Sequence, residues 1–270
     1  MALESFPPLI LLASRFLLSG AVILVAARLW GHTLPRGREL ALTAVSGLLP
    51  LGVGNGALIY SETMIPSSLA SLYITTSPFW LVGLESLAGG ERLRPRTLLA
   101  MLVGFFGTAL LLVPGEAGFS LSNVKGFLLL QAGNLAWAAG SVMFRRRTAT
   151  GDARCHSIVS GGVQQLATGL AASALLLMLP AQVPIVWSER GTWALLYLVF
   201  FGSIIGYSAY VYCLDKLPMS LVSTYTYINP LVAVAFGWLF YREPIGWRVF
   251  VAMSTIFVGV FLVKRSQRPG

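Results

Sequence analysis

Residues Ser223–Pro230 place hydroxyl groups, a carboxamide and a proline inside a segment that is otherwise apolar. Unpaired polar groups and interrupted backbone hydrogen bonding are costly in hydrocarbon, so such groups face a cavity or another helix. At about 100° per helical residue, Tyr225 and Asn229 share one face, whereas Tyr227 lies on another. The pattern predicts that Tyr225 and Asn229 bind a small molecule non-covalently, with Pro230 as a hinge. The alternative is that Asn229 only bonds neighbouring helices.

The same pattern occurs 152 residues upstream, in Ser71–Pro78. Tyr73 matches Tyr225 and Pro78 matches Pro230, which makes Tyr73 a substrate-binding candidate and Pro78 a second hinge. A proline inside a helix removes one backbone hydrogen bond and bends or breaks the helix. Two interrupted apolar helices at matching places indicate a binding site near the interruptions.

Polar residues also interrupt two other apolar segments. Gln131, Asn134 and Trp137 are spaced i, i+3 and i+6, which places them along one helical face. Trp137 lies far from the membrane interface, where tryptophan is common, so we expect this stripe to line a substrate cavity. Asn55 lies in the glycine-rich run Gly52–Gly56, whose glycines are expected to permit close backbone approach. Asn55 faces either a substrate or a closely packed helix, and both interpretations stay open.

Charged residues within the apolar segments are few. Arg15 lies about a third of the way into the first segment, where it needs an anionic substrate or backbone carbonyls as partners. Glu85 lies near one end of its segment, and both histidines, His32 and His156, fall in loops. A strongly proton-coupled carrier usually has a titratable carboxylate or histidine at mid-depth, and this sequence has none there. Facilitated or weakly coupled transport fits better, with Arg15 and Glu85 as the coupling candidates.

The composition indicates a membrane protein. Apolar residues make up 56% of the sequence, charged residues only 11%, and the mean hydropathy is +0.76. The net charge of +9 does not indicate nucleic-acid binding, because the basic residues fall in short loops on one side, as membrane insertion requires. No metal-ligand spacing or cofactor motif is present. Cys155 and Cys213 fall at ends assigned to the cytoplasm, where disulfides are rare.

Apolar segments near the ~20 residues needed to cross a bilayer recur along the chain. They predict nine transmembrane helices, at residues 8–29, 40–60, 67–88, 97–113, 125–144, 157–179, 192–214, 221–241 and 247–263. Basic residues concentrate in alternate loops, most strongly at Arg145–Arg147, where the fifth helix is predicted to stop. This bias assigns those loops and the C-terminal tail to the cytoplasm and the N-terminus to the outside. The loop Tyr241–Glu243 is charge-balanced and is placed outside by counting.

An internal repeat organises these helices. Residues 66–111 align without gaps with residues 218–263, matching Tyr73/Tyr225, Pro78/Pro230, Glu91/Glu243, Arg96/Arg248 and Gly107/Gly259. We therefore predict two repeats, residues 1–114 and 115–270. Because the repeated unit has an odd number of helices, its copies lie in opposite orientations. The predicted fold is an all-α polytopic membrane protein with an inverted repeat, four plus five helices of a five-plus-five design.

Several segments resemble known carriers. The chain resembles the second half of EamA-type carriers of the drug/metabolite transporter superfamily in Phe201–Ile205, Tyr210–Tyr212 and Ser223–Val234. It resembles their second helix in Pro7–Pro8 and Arg15–Gly20, and their third in Gly54–Gly56. Members of this family have ten helices with both termini inside. The resemblance therefore implies that this sequence corresponds to the second to tenth helices, without the first, which lines the cavity in such carriers.

These features predict a secondary carrier of a bacterial inner membrane that exports small amphipathic metabolites, such as amino acids, by alternating access. Aromatic and hydroxyl side chains can solvate both ends of such a substrate. The expected partners are the lipid bilayer and the substrate, without a cofactor or nucleic acid. The alternatives are an inactive or partial transporter remnant and, with less support, an intramembrane enzyme. Such an enzyme needs a serine with a buried histidine, a metal cluster or an acidic pair.

Overall fold

The structure is a computed structural model of the chain. It describes residues 2–65, 67–90, 92, 94–112, 121–151, 155–179, 185–229, 231–232 and 247–266. Within these ranges every regular element is a helix. A bilayer demands this arrangement, because a helix satisfies its own backbone hydrogen bonds. The fold is that of an all-α, multi-pass membrane protein.

The elements of the first half follow the predicted segments. The short helix α1 (Ala2–Ser5) precedes α2 (Pro8–Leu29). The second predicted helix consists of α3 (Gly37–Gly47), the π-helical segment π1 (Leu48–Gly54) and α4 (Asn55–Ser61). The third is divided into α5 (Ser67–Ile74) and α6 (Ser77–Leu87), and the fourth is α7 (Pro95–Leu112).

The second half begins with the long helices α8 (Leu121–Ala149) and α9 (Ser157–Met178). The seventh predicted helix consists of α10 (Glu189–Tyr197), the π-helical segment π2 (Leu198–Tyr207) and α11 (Ser208–Lys216). The eighth begins with α12 (Met219–Val222) and a helical stretch at residues 225–229. Pro230 and the loop Tyr241–Glu243 lie outside the described residues. The ninth is α13 (Trp247–Ser266).

The fifth helix is longer than predicted. The sequence pattern places its end at Arg145–Arg147, but α8 continues through these residues to Ala149. Arginine is a good helix former, and cations near a helix C-terminus interact favourably with the helix dipole. A basic cluster can therefore mark a membrane boundary without ending the helix.

Five of the described helices are long and apolar enough to cross a membrane: Pro8–Leu29, Gly37–Ser61, Val124–Ala149, Ser157–Met178 and Glu189–Lys216. Pro95–Leu110 is equally apolar in character but shorter. Large apolar side chains on these helices are exposed, among them Val25, Phe106 and Phe200. Exposed apolar side chains in such number suit a surface that faces lipid.

Internal contacts divide the chain into two units, of which the first comprises residues 1–60 and 139–216. Its main helix pair is α2 with α9. Gly169 permits this approach, because a Cβ at that position would lie 2.5 Å from the main-chain nitrogen of Leu17. Small residues at helix crossings are typical of packing in membranes, where backbone proximity replaces the hydrophobic driving force.

The two ends of the first unit agree with the predicted sides of the membrane. At one end the hydroxyls of Ser5 and Ser188 lie 2.6 Å apart, and both segments were predicted to be outside. At the other end the rings of His32 and His156 stack at a centroid distance of 4.6 Å, and both loops were predicted to be cytoplasmic. Each end thus brings together two segments with the same predicted side, and the assignment of these ends to the two sides of the membrane stays a prediction.

The second unit comprises residues 61–138 and 217–270, with α7 packed against α13. A Cβ at Gly259 would lie 2.6 Å from the main-chain nitrogen of Gly104, so these two helices also cross closely. The repeat relates the fourth and ninth predicted helices, which form this pair. It also relates the first and sixth, which form the α2–α9 pair of the first unit. The inverted arrangement of the two repeats stays a prediction.

Two π-helical segments occupy equivalent positions in the repeat. The 152-residue offset moves π1 (Leu48–Gly54) to residues 200–206, which fall inside π2 (Leu198–Tyr207). A π-helical turn accommodates one more residue than an α-turn and is found mostly at functional sites. Pro50 lies in π1, where the wider turn accommodates a residue that cannot donate a backbone hydrogen bond. The sequence pattern predicts ordinary helices here, so both segments are new features.

Candidate functional site

The third predicted helix breaks at Thr75 and Thr76, between α5 and α6. Pro78 explains the break, because it has no N–H to donate to the carbonyl of Ile74, four residues earlier. The hydroxyl of Ser77 donates to that carbonyl instead, at 2.6 Å. The predicted hinge residue Pro78 thus lies in the first turn of α6, and the break itself comes just before it.

Carboxamides from α8 bind the carbonyl that the break exposes. The main-chain oxygen of Tyr73 accepts from Nδ2 of Asn134 at 3.1 Å and from Nε2 of Gln131 at 3.5 Å. Asn134 also donates to Oγ1 of Thr76 at 3.1 Å, and its Oδ1 lies 2.8 Å from the hydroxyl of Ser77, whose single hydrogen serves either this oxygen or the carbonyl of Ile74. Three predicted binding residues, Tyr73, Gln131 and Asn134, are therefore brought together around interrupted backbone.

Trp80 belongs to the same cluster, although the sequence patterns did not single it out. Its indole N–H donates to Oε1 of Gln131 at 2.8 Å. Oγ1 of Thr76 lies 2.9 Å from that oxygen and 2.7 Å from the carbonyl of Tyr73, and its single hydrogen serves one of them at a time. The signal that identified Trp137, a tryptophan far from the membrane interface, could equally have identified Trp80.

Aromatic rings accompany these polar groups. The ring of Tyr73 packs edge-to-face on Phe127, with centroids 5.0 Å apart. Trp137 lies nearly one turn beyond Asn134 on the continuous helix α8, and it is half-buried. Gln131, Asn134 and Trp137 thus follow one another along one helix, as their spacing predicts. Their role in lining a substrate cavity stays a prediction.

The second copy of the motif is satisfied by its own hydroxyls. The helix ends after α12, and Ser223, Thr224 and Thr226 each donate to the carbonyl three residues earlier, at 2.8, 2.7 and 2.9 Å. The turn at Ser223 and Thr224 lies one helical turn earlier in the repeat alignment than the break of the first copy. The two interruptions therefore do not occupy identical positions in the repeat.

Tyr225 and Tyr227 have different surroundings. Tyr227 is fully buried, and its hydroxyl donates to the main-chain carbonyl of Met101 at 2.9 Å, which gives it a packing role. Tyr225 is half-buried, and Asn229 is exposed. The side chains of Tyr225 and Asn229 thus remain the candidates of this segment for binding a substrate.

Arg15, in α2, is bonded to a π-helical segment. Its Nε donates to the hydroxyl of Ser203 in π2 at 2.7 Å, and its guanidinium carbon lies 5.1 Å from the ring centroid of Phe16. Gly202 leaves space for this side chain, since a Cβ there would lie 2.9 Å from Nη2 of Arg15. Among the described residues Arg15 has no carboxylate partner. An anionic substrate as its counter-ion stays a prediction.

Two adjacent glutamines on α9 connect the π-helical segments. Nε2 of Gln164 donates to the hydroxyl of Ser46, just before π1, at 3.0 Å, and its Oε1 accepts from the hydroxyl of Tyr207, the last residue of π2, at 3.0 Å. Nε2 of Gln165 donates to the carbonyl of Ser203 at 3.4 Å. All five residues are buried.

Asn55 is the first residue of α4, directly after π1, and is half-buried. The expectation that glycines around it permit close backbone approach is wrong for Gly52 and Gly56. A Cβ at Gly56 would meet nothing within 4 Å, and one at Gly52 would be in ordinary contact at 3.9 Å. The close approach lies earlier, at Gly47, where a Cβ would lie 2.2 Å from that of Gln164. A substrate-binding role for Asn55 stays a prediction.

The remaining coupling candidate, Glu85, is 4% exposed and lies near the C-terminal end of α6, beside Gly90. Within the described ranges no three side chains are grouped as a metal site. The described cluster consists of amides, hydroxyls and indole N–H groups. Such groups form hydrogen bonds, and a role of this cluster in binding a substrate stays a prediction.

Comparison with known proteins agrees with this architecture. The EamA-like transporter family matches residues 1–113 and 124–265. One relative, named "Uncharacterized inner membrane transporter YedA" in Escherichia coli (strain K12), is 32% identical over 265 residues, which cover 97% of this chain and 83% of the relative. Another, named "Probable terminal-alkyne amino-acid exporter" in Streptantibioticus cattleyicolor, is 26% identical over 233 residues, covering 84% of this chain and 74% of that protein.

A solved structure, described as "Crystal structure of protein", has the same fold. It superposes with a TM-score of 0.78 at 23% sequence identity, and the match covers 98% of this chain and 90% of the other. At this identity the match concerns the fold alone.

Proposed function

Because the chain belongs to the EamA-like transporter family, we propose that it is a secondary carrier that exports small amphipathic metabolites, amino acids among them, by alternating access. The transporter relatives, one of which is named as an amino-acid exporter, support the class of substrate. The proposed location is a bacterial inner membrane, which the name of the Escherichia coli relative supports, with the C-terminus in the cytoplasm as the charge bias predicts.

The observation that carries the proposal is the cluster of Gln131, Asn134 and Trp80 at the broken helix of the second unit. Asn134 and Gln131 donate to the carbonyl of Tyr73 beside the break, and Trp80 donates to Gln131. In hydrocarbon a backbone carbonyl needs such partners. Uncharged donors and acceptors beside aromatic rings suit a substrate with one polar and one apolar end. A discontinuous helix at a binding site is a recurrent feature of secondary transporters.

The charges support weak coupling. Glu85 lies near a helix end rather than at mid-depth, and Arg15 is bonded to Ser203, so neither is placed as a mid-membrane proton carrier. Transport is then driven mainly by the gradient of the substrate itself. Arg15 and Glu85 remain the candidates for any coupling of transport to an ion or proton.

The test is export from cells and flux in liposomes containing the purified protein, with a panel of labelled amino acids and small aromatic compounds. Asn229→Ala and Trp137→Ala are expected to lower the initial rate about ten-fold, because each removes contacts worth about one to two kcal/mol. Trp193→Ala is the matched control, since Trp193 is 65% exposed in α10. Amounts of protein in the membrane are measured for each variant.

Two outcomes are separable. If no compound of the panel moves faster with the wild-type protein than with empty liposomes, the proposed export is wrong. If flux is present and both variants retain the wild-type rate, the carrier activity stands and these two residues leave the site.

A further inference from the structure

A cavity of about 440 Å³ lies in the first unit, at the end predicted to be cytoplasmic. It is formed where α2, α8 and α11 end and where α9 begins, and its lining includes His32, Thr148, His156, Asp215 and Lys216. Its volume is that of a small-molecule site, but its described lining is polar, unlike the apolar pockets typical of drug-sized ligands. The chemistry of these side chains therefore determines what it can hold.

Two imidazoles face this cavity. The rings of His32 and His156 stack at a centroid distance of 4.6 Å with 27° between their planes. Nδ1 of His156 accepts the backbone N–H of Ile158 at 3.3 Å, which caps α9. Because Nδ1 is an acceptor, the proton of the neutral ring is on Nε2, which is left as a donor. Imidazoles are the side chains that can become cationic near neutral pH.

The carboxylate in the lining is already neutralised. Asp215 accepts from the hydroxyl of Ser157 at 3.0 Å and from Nζ of Lys216 at 2.9 Å. Glu39 accepts the backbone N–H of the lining residue Cys155 at 3.1 Å. These bonds occupy carboxylate oxygens and spread their negative charge, so the acidic groups oppose a second anion less than free carboxylates would.

An uncompensated cation, Arg147, is adjacent in the chain to a residue of the lining. Arg147, which precedes the lining residue Thr148, is 8% exposed; its Nη1 donates to the hydroxyl of Thr43 at 3.3 Å, and its Nε has no hydrogen-bond partner. Within the described residues no carboxylate forms a salt bridge with it. A buried positive charge without a counter-ion produces a positive potential that is screened less than that of a surface charge.

We propose that this cavity binds a small anion through a carboxylate or phosphate group, held by hydrogen bonds from His32 and His156. The site is separate from the broken helix of the second unit, and the proposal does not depend on the export function. Either a soluble metabolite or the headgroup of an anionic lipid supplies this chemistry, and the experiment below distinguishes them.

Binding of the anion is linked to proton uptake. An anion favours the protonated imidazoles, so affinity rises as the pH falls through the range in which they gain protons. The other titratable groups facing the pair are Cys155, Tyr212, Asp215 and Lys216, with Glu39 bonded to the first of these. Protonation of Nδ1 of His156 also removes the acceptor for the N–H of Ile158. A bound anion then offsets part of the positive charge at the N-terminus of α9.

Calorimetry on the purified protein in neutral detergent tests the site with inorganic phosphate and with acetate, at pH 6 and pH 8. Two buffers of different ionisation enthalpy report the protons taken up. We expect binding at least about ten-fold tighter at the lower pH, with net proton uptake, since one charge-assisted hydrogen bond is worth this factor. Equal affinity at both pH values would overturn the proposal.

Two variants separate the imidazole charge from its structural contacts. His156→Asn keeps a side-chain acceptor at the helix N-cap, and His32→Phe keeps an aromatic ring for the stack. Each is expected to weaken binding about ten-fold at pH 6 and to flatten the pH dependence. Arg190→Gln, in α10 at the opposite end of the same unit, is the control and leaves both unchanged. Binding that persists unchanged in both histidine variants refutes the site.

A lipid arm identifies the source of the anion. The protein is placed in nanodiscs of phosphatidylcholine with or without phosphatidylglycerol, and its thermal midpoint is measured. The lipid headgroup is supported if phosphatidylglycerol raises the thermal midpoint, both histidine variants lose this rise, and soluble phosphate and acetate do not bind. Affinity for the soluble anions without that rise supports a metabolite. The absence of both effects overturns the proposal.

Discussion

Asn134 provides the sharpest test of how the broken helix is held. Its carboxamide bonds the carbonyl of Tyr73 at 3.1 Å, the hydroxyl of Thr76 at 3.1 Å and the hydroxyl of Ser77 at 2.8 Å. Hydrogen bonds between helices in a bilayer contribute about 0.6 kcal/mol each on average and about 1.7 at most. Asn134→Leu keeps the branched shape of the side chain and removes all three. It is expected to lower the free energy of unfolding by about 2 kcal/mol.

The average value of about 0.6 kcal/mol per bond is used because the carbonyl of Tyr73 keeps other donors when Asn134 is replaced. Oγ1 of Thr76 lies 2.7 Å from the carbonyl of Tyr73, and Nε2 of Gln131 remains 3.5 Å away. The unfolding free energy is measured by titrating the protein in mixed micelles with a denaturing detergent. Leu128→Ala on the same helix is the control, because Leu128 is 61% exposed and should change this energy by less than about 0.5 kcal/mol.

A double-mutant cycle isolates one of the three bonds. Ser77→Ala alone removes the 2.8 Å bond to Asn134 and also the 2.6 Å bond to the carbonyl of Ile74. The double variant Ser77→Ala with Asn134→Leu should lose about 0.6 kcal/mol less unfolding free energy than the sum of the two single losses. A loss below about 0.5 kcal/mol for Asn134→Leu, with strictly additive variants, would refute the assigned role.

Two further predictions concern the first unit. Gly47→Ala should lower the free energy of unfolding by about 2 kcal/mol or more, because its methyl group would overlap the side chain of Gln164. Gly56→Ala meets open space and should be neutral or slightly stabilising. Equal effects of the two variants on unfolding in detergent would contradict the packing. Burial raises the pKa of Cys155, so a maleimide should label this thiol more slowly at pH 7 than a free cysteine and faster as the pH rises. With Cys213 replaced by serine, a membrane-impermeant maleimide should reach Cys155 from the cytoplasmic side only. Labelling from outside would overturn the predicted orientation.

The break in the third helix could be predicted because its cause is local. Pro78 removes a fixed backbone hydrogen bond, and Ser77 and Thr76 provide hydroxyls that can replace it within the same turn. The spacing of Gln131 and Asn134 likewise fixes their common helical face. The spacing does not show which groups that face contacts. The sequence predicted that these amides line a cavity; in the structure they bond the backbone at the break, and the cavity-lining role stays a prediction.

The π-helical segments could not be predicted in this way. A π-turn has no composition of its own, and its cost is offset by tertiary contacts such as those of Gln164 with Ser46 and Tyr207. These contacts join residues more than forty positions apart along the chain. Sequence periodicity describes a single helix at a time, so it cannot show how a helix accommodates a residue such as Pro50.

The two copies of the polar motif solve the same problem differently, and this decides where a substrate is to be sought first. In the first copy the interrupted backbone depends on Asn134 and Gln131, so these amides are largely engaged before any ligand arrives. In the second copy the hydroxyls of Ser223, Thr224 and Thr226 satisfy their own segment. Tyr225 and Asn229 take no part in these three bonds. Variants of the first copy should therefore lose stability before transport, and variants of Tyr225 or Asn229 should lose transport before stability.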